Sequence, residues 1–284
     1  MFEQKLLKII KLSIMFMIII PFGCSKESHQ QSVSPSIIFP YKWLGSIDKI
    51  KFKEPSGICW HSKRKTLFVV GDQGDVCEIK PDGTLINQKR IRSADFEGIT
   101  HDPSTGLLYI AVEGEESIIE LNPETLEVLR EFSLPRKFND KVVMKSGGQG
   151  IEALTFVPDM AHPEGGTFCV ANQSFNTNDE EDISAIFVVE LPLRSKIGEP
   201  KLLNYFNPRI IDVSGLHYSP VNGHIFLISD ACNIILEYSS EYKLLKEFAF
   251  PGNNQEGIAV DDNSFMYIAQ DSGGIIKLKW LRDE

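Results

Sequence analysis

Asp95-Phe-Glu-Gly-Ile-Thr100, then Leu108-Tyr-Ile-Ala-Val-Glu113, then Ile118-Ile-Glu-Leu121 form a unit that recurs five times along the chain. The first copy runs Glu54-Pro-Ser-Gly-Ile-Cys-Trp60, Leu67-Phe-Val-Val-Gly-Asp72 and Val76-Cys-Glu-Ile79. The third is Gly150-Ile-Glu-Ala-Leu-Thr-Phe156, Thr167-Phe-Cys-Val-Ala-Asn172 and Phe187-Val-Val-Glu-Leu191. Asp212-Val-Ser-Gly-Leu-His-Tyr218, Ile225-Phe-Leu-Ile-Ser-Asp230 and Ile235-Leu-Glu-Tyr238 make the fourth. The fifth is Asn254-Gln-Glu-Gly-Ile-Ala-Val260, Met266-Tyr-Ile-Ala-Gln-Asp271 and Ile275-Ile-Lys-Leu278. From the Gly (Ala153 in the third copy) to the polar residue closing the second run is 15, 15, 19, 15 and 14 residues, and successive Gly positions lie 41, 55, 62 and 42 apart. The runs are short and rich in Val, Ile, Phe and Tyr, and turn sequences such as Pro81-Asp-Gly83 separate them. They read as strands and tight turns. A repeat just above 40 residues with several strands in each unit predicts an all-β chain folded as a β-propeller.

Four units continue into a fourth strand: Leu85–Ile91, Val128–Phe132, Leu202–Phe206 and Leu244–Phe248. The fifth stops after its third strand, at Trp280-Leu281, while Ile37 to Ile47 supplies a strand before the first unit begins. That strand is expected to complete the last blade as a latch and remove the open edge. Five four-stranded blades follow. The alternative of six would need another blade within residues 133–150 or 192–212, and neither has room for four strands.

The pattern Pro55-Ser-Gly-Ile58, Leu67-Phe-Val-Val70 before Asp72, and Gln255-Glu-Gly-Ile-Ala259 resembles the SdiA-regulated (YjiK-like) propellers of bacterial envelopes over roughly residues 40–280. More distantly the units are similar to NHL-repeat and gluconolactonase-type propellers, which are the six-bladed comparison. The resemblance implies that the Gly-bearing strand is innermost and that the residue before Gly lines the channel mouth. That column is Ser56, Glu97, Glu152, Ser214 and Glu256. Close carboxylates repel and desolvate one another, so something must compensate. One solution is a hard, oxygen-ligated cation such as Ca2+, held by Glu97, Glu152 and Glu256. The other is that these side chains cap turns or meet basic groups. A second column, Asp72, Glu113, Asn172, Asp230 and Asp271, closes the second strands and reads first as turn capping on the same face.

Long connections 133–150, 173–183 and 206–212 are expected on that face too, the usual place for binding residues. Asn176-Thr-Asn-Asp-Glu-Glu-Asp182 resembles a calcium loop but lacks the EF-hand Gly and terminal Glu, so it reads as a solvated acidic loop.

Lys5, Lys8 and Lys11 precede the 9-residue apolar run Leu12–Ile20. That run is too short for a membrane span, which takes about 20 residues, and reads as a signal peptide over 1–23. Gly23-Cys24-Ser25 resembles a bacterial lipobox, although Pro21 and Phe22 depart from its usual Leu-Ala type. Cys24 is the expected lipidation site, residues 24–36 a polar tether, and 37–284 the propeller domain. The expected location is the bacterial envelope. Ser25, where Asp marks inner-membrane retention in enterobacteria, points to the outer membrane.

The chain carries 39 acidic and 29 basic residues, a formal charge of −10. A protein that tracks nucleic-acid phosphates needs the opposite sign, which excludes that class. Cations, neutral ligands and protein partners suit it better. There is no GxSxG elbow, P-loop, HExxH or dinucleotide fingerprint. His61, His101, His162, His217 and His224 fall at different offsets in their units and are not expected to converge. Cys59, Cys77, Cys169 and Cys232 sit in apolar, strand-like runs and read as buried thiols rather than disulfides or zinc ligands. The favoured function is a non-catalytic module, membrane-bound through its lipid, with a protein or small-molecule ligand on the pre-Gly face. The alternative is a metal-dependent hydrolase, a lactonase or phosphoesterase, built on the same three glutamates.

Overall fold

The computed structural model describes residues 37–49, 52–179, 182 and 184–281. The leader-like segment 1–23, Cys24 and the tether up to residue 36 lie outside the described residues, as do Glu180, Glu181 and Ile183 of the acidic loop.

The latch strand β1 (Tyr41–Ser46) comes first. Blade 1 is β2 (Pro55–His61), β3 (Thr66–Gly71), β4 (Asp75–Ile79) and β5 (Leu85–Arg90). Blade 2 is β6 (Asp95–His101), β7 (Leu108–Glu113), β8 (Ser117–Leu121) and β9 (Val128–Ser133). A small ribbon, β10 (Lys137–Phe138) with β11 (Lys141–Val142), interrupts the next connection. Blade 3 is β12 (Ile151–Pro158), β13 (Gly166–Asn172), β14 (Ala185–Glu190) and β15 (Lys201–Phe206). Blade 4 is β16 (Val213–Ser219), β17 (His224–Ser229), β18 (Ile234–Tyr238) and β19 (Leu244–Ala249). Blade 5 is β20 (Gln255–Val260), β21 (Phe265–Gln270) and β22 (Gly274–Trp280), completed by β1 in the order β1-β22-β21-β20. Every pairing within a blade is antiparallel. The chain is thus a five-bladed β-propeller, and the region 133–150 holds a two-stranded ribbon rather than a sixth blade.

Burial follows position in the blade. The second strands are covered on both faces, so β3 is buried throughout and apolar after Thr66, whereas the outermost β5 is almost wholly exposed and polar at its end. Apolar clusters lie between neighbouring blades, as with Phe156, Phe168 and Tyr109 at one junction and Phe226, Phe248 and Trp280 at another. Each buried aromatic of this kind contributes roughly 1.5–3 kcal/mol. A carboxylate on the third strand crosses this apolar wall and is paired wherever it occurs. Arg64 grips Glu78 with two bonds of 2.7 and 3.0 Å, Arg130 holds Glu120, and His224 Nδ1 meets Glu237 at 2.6 Å.

The inner strands β2, β6, β12, β16 and β20 ring the axis and touch one another in turn. Here glycine is required by space. A Cβ on Gly57 would lie 2.0 Å from the Glu97 carbonyl oxygen, and one on Gly98 would lie 2.2 Å from the Leu154 amide nitrogen. The ring can close this tightly only because those positions have no side chain. Ile58, Ile99, Leu154, Leu216 and Ile258 narrow the axis to a space of about 10 Å3 and divide it into two mouths.

Cys59, Cys77 and Cys169 are buried free thiols, as expected. Cys232 is not. It is exposed in the turn between β17 and β18, because the apolar run around it ends at Ser229 and restarts at Ile234.

Candidate functional site

Each inner strand begins with a β-bulge at the residue before its glycine, or before Ala153 in blade 3. The register with the second strand slips between Pro55 and Gly57, Phe96 and Ile99, Ile151 and Ala153, Val213 and Gly215, and Gln255 and Ile258. The skipped residues include Ser56, Glu97, Glu152, Ser214 and Glu256, the whole pre-Gly column. A bulge leaves its extra residue out of the ladder and re-aims its side chain.

The result is a mouth dense in carboxyls whose strongest electrical neighbours are one another. Burial, then Glu152, Asp72 and Asp95, push the Glu97 carboxyl well above the usual range. Burial and the adjacent Glu113 raise Glu152 to about 10, with Glu256 also acting on it. Glu256 rises to about 8 through burial and the charges of Asp212, Asp230, Asp271 and Asp72. Asp72 is raised by burial, opposed by the Ser56 hydroxyl that donates to its Oδ1. Carboxyls raised in this way hold protons at pH values where a carboxyl in water would be ionised.

Glu97, Glu152 and Glu256 therefore share one mouth, but they are not the tightest group. That group is Asp72, Asp95 and Glu97, each offering a carboxylate oxygen within 4.8 Å of the others. Two oxygens on one Ca2+ at about 2.4 Å each can be no more than about 4.8 Å apart, so every pair among the three lies within the span that one ion can bridge. Asp95 Oδ1 is buried and has no hydrogen-bond donor among the described residues. Its neighbours are the carboxyls of Glu97 and Glu113, which can donate only while they hold a proton.

The other column members divide. Asp271 acts on both Asp72 and Glu256 and belongs to the mouth. Glu113 Oε1 accepts from the Gly150 amide at 3.0 Å, and Asp230 Oδ1 from the Gln255 amide at 2.8 Å, so both also brace the next blade. Asn172 is fully buried and acts as a strut: its Nδ2 donates to the Gln149 and Gly150 carbonyls at 2.7 and 2.6 Å, and its Oδ1 accepts from Lys145 N at 2.9 Å. Ser214 donates to the Gln255 carbonyl at 2.7 Å. Turn and strand capping thus accounts for Asn172 and Ser214, and the mouth chemistry falls to the acids.

Asp95 escaped the column reading because it stands three residues before Gly98, not one. A third column, Glu54, Asp95, Asp212 and Asn254, holds the same offset and would have flagged it. The loops arrive as expected: the Asp212 amide donates to the Ser174 carbonyl at 2.6 Å, and Lys145 pairs with Asp182. That pairing marks Asp182 as a loop-to-loop tie.

The histidine expectation fails for His61, His101 and His217, while His162 and His224 pair with Glu190 and Glu237 elsewhere. His61 and His101 stack with ring centroids 4.8 Å apart, and His101 and His217 line one cavity. They meet because each lies in the closing part of its inner strand and the inner strands stand side by side around the axis.

The sequence profile of the family described as SdiA-regulated matches residues 45–272. Among curated proteins none matches the chain in sequence. In fold the chain is similar to the crystal structure of Myxococcus xanthus glutaminyl cyclase, with TM-score 0.62 and 12% identity over 86% of this chain and 97% of that one. The β-propeller domain of Myceliophteria thermophila Cps50 (Swd1) gives TM-score 0.48 and 10% identity over 86% and 100%. At these identities the likeness concerns the fold, and the chemistry has to be argued from the residues.

Proposed function

The chain belongs to the SdiA-regulated family, and from that premise we propose that it is an exported, lipid-anchored propeller that binds Ca2+ at its acidic mouth and presents the surrounding loops to a partner. The observation that supports this is the Asp72, Asp95 and Glu97 triad, with three oxygens within 4.8 Å of one another and a buried oxygen of Asp95 that has no donor among the described residues. A divalent cation there replaces protons as the neutralising charge and ties blade 1, through Asp72, to blade 2, through Asp95 and Glu97. Glu152 and Glu256 add negative potential around it. The fully ionised mouth then becomes compatible with the folded state, and the loops 133–150 and 206–212 are held over it.

Millimolar Ca2+ at mildly alkaline pH is expected to raise the melting temperature. A ligand at a hundred times its dissociation constant stabilises the folded state by about 2.7 kcal/mol, some 5–10 °C for a domain of this size. Glu97→Gln should keep the fold and lose the gain. Calorimetry showing no heat and no shift at millimolar Ca2+ would retire the cation site. The anchor is tested separately: Cys24→Ala is expected to release the protein from the membrane fraction or stall its processing, and a variant that fractionates like wild type refutes lipidation.

A second reading, a metal-dependent hydrolase of lactones or phosphoesters, has one observation in its favour. Glu152 keeps its proton up to about 10 while sharing a contact with Glu113. A carboxyl that holds its proton beside a second carboxyl is an arrangement that general acid catalysis uses. Hydrolysis that disappears on chelation and in Glu152→Gln would favour the enzyme; its absence from a Ca2+-binding protein leaves the module.

A further inference from the structure

Exposed apolar surface is spread unevenly around the ring. The outer strands β5, β9 and β19 each open with one half-exposed aliphatic pair, Leu85-Ile86, Val128-Leu129 and Leu244-Leu245. The latch segment carries more. Ile38 is 68% exposed and Trp43 57%, with Ile37 and Leu44 exposed beside them. Exposed Leu281 joins the same stretch, because its amide donates to the Pro40 carbonyl at 2.8 Å.

These side chains take no part in closing the ring. Phe39 is buried, and Tyr41 sets its ring edge-on against Phe250 at 5.5 Å, so those two do the inward packing. Trp43 and Leu44 come at the register slip before Gly45, and both stay in water. Between Tyr41 and Trp43, exposed Lys42 stands opposite Lys279 in the β1–β22 ladder, and like charges paired in this way destabilise a sheet. Lys279 donates to the Asn263 carbonyl and lies over the Phe265 ring. Lys42 has no ion pair among the described residues.

An exposed tryptophan and an unpaired lysine among branched aliphatics suit the interface of a phospholipid bilayer. There an indole ring sits at headgroup depth, a lysine meets phosphate, and aliphatic side chains reach the acyl boundary. Position in the chain supports the same occupant. Ile37 follows Cys24 by 13 residues (37 − 24), a connection of at most about 45 Å even when fully extended. With a lipid on Cys24, this stretch is the part of the propeller tethered nearest the membrane.

We propose that the latch segment docks on the bilayer that holds the anchor, with Ile38, Trp43 and Leu44 in the interfacial layer and Lys42 on a phospholipid phosphate. The inference rests on the lipid-anchored reading above. Because β1 is the outermost strand of blade 5, docking there uses the perimeter of the ring and leaves both mouths open to water.

The test reconstitutes the full lipidated protein into vesicles of phosphatidylcholine and phosphatidylglycerol with brominated acyl chains, bromine being a short-range quencher of indole. Trp60 and Trp280 are buried and Trp43 is exposed, so roughly a third of the tryptophan emission should be quenched. Trp43→Phe should abolish that quenched fraction. Lys42→Glu should reduce it at least about twofold, since a lysine near an anionic surface contributes about 1 kcal/mol. That variant faces Lys279 with an opposite charge, so its melting should be unchanged or raised. Lipidated protein whose emission ignores the bromine overturns the docking and leaves the anchor standing. Mass analysis that finds no lipid on Cys24 refutes the anchor instead. The unlipidated chain is then added to the same vesicles: quenching at Trp43 upholds the docking, and its absence overturns it. Trp43 shielded in a concentration-dependent dimer that ignores the vesicles also overturns it.

Discussion

Stripped of divalent cations, the protein is expected to melt at steadily lower temperature as the pH rises from about 6 to about 9. Two carboxyls set the window. Glu256 titrates at about 8 and Glu152 at about 10 in the folded protein, against 4.5 when unfolded. Between those values the folded state holds protons that the unfolded chain has released. Stability therefore falls with rising pH: the contribution is complete below about 4.5 and lost as pH passes through 8 and then 10. Each group acts with a slope on the order of 1 kcal/mol per pH unit, reduced by solvent at the open mouth. The combined loss should be about 3 kcal/mol, or roughly 5–10 °C. Carboxylates held by partners behave in the opposite sense at the acid end. Asp102 is buried, yet bonds from Ser104 and Arg194 keep its pKa below the usual range, so its stabilisation is lost only as pH falls through that depressed value. The two arms leave the metal-free protein most stable in mildly acid solution. Millimolar Ca2+ should flatten the alkaline arm, because the ion replaces the protons, and Glu152→Gln should shallow it without any metal. Melting in EDTA that is level or rising from about pH 6 to about pH 9 would show that the carboxyls are compensated by something else.

The repeat was legible because propeller blades stack like against like. Each inner strand must pass the same narrow axis, so Gly57, Gly98, Gly215 and Gly257 recur in register, and each second strand is buried on both sides, so its apolar run is unbroken. Blade count and latch follow from counting those runs. What the sequence hides is direction. A bulge at Glu97 or Glu152 does not differ in composition from a regular strand, yet it decides which side chain leaves the ladder. The pre-Gly column was legible, but not what each member meets: the Ser214 hydroxyl closes a backbone carbonyl, and Glu97 faces a cluster of acids. Asp95 lay two places outside the column and joined the site across the bulge. The histidines at the far mouth show the same limit: their different offsets hide that β2 and β6 lie side by side, which brings His61 and His101 into a stack.

Removal of residues 1–49 is expected to abolish cooperative melting or lower it by more than about 10 °C, whereas removal of 1–35 should leave it within about 2 °C of the full chain. The difference lies in what residues 37–47 hold together. Strand β1 pairs with β22 from Tyr41 opposite Trp280 to Ser46 opposite Ile276, and the Ile47 amide extends the ladder to the Ile275 carbonyl at 2.8 Å. Upstream, the same segment crosses to the neighbouring blade, where Phe39 N donates to the Ala249 carbonyl at 2.9 Å and Ala249 N to the Ile37 carbonyl at 2.8 Å. Phe39 itself is 1% exposed and packs against Phe248, Phe250 and Trp280 at centroid distances of 5.2, 5.8 and 5.5 Å. The segment is thus both the fourth strand of blade 5 and the seam between blades 4 and 5. Its loss exposes the unpaired edge of β22 together with an aromatic cluster, which favours aggregation as well as unfolding. Phe39→Ala isolates the packing part: truncation of a buried Phe costs about 3–5 kcal/mol, which is roughly 10 °C here, with the hydrogen bonds of β1 intact. A synthetic peptide covering residues 37–49 supplies the complementary measurement. If β1 closes the ring by strand addition, the peptide should bind the 1–49 truncation and restore a cooperative transition. Equal melting of the two truncations, or a truncated protein that stays fully folded and ignores the peptide, would mean that the other blades close the ring without the latch.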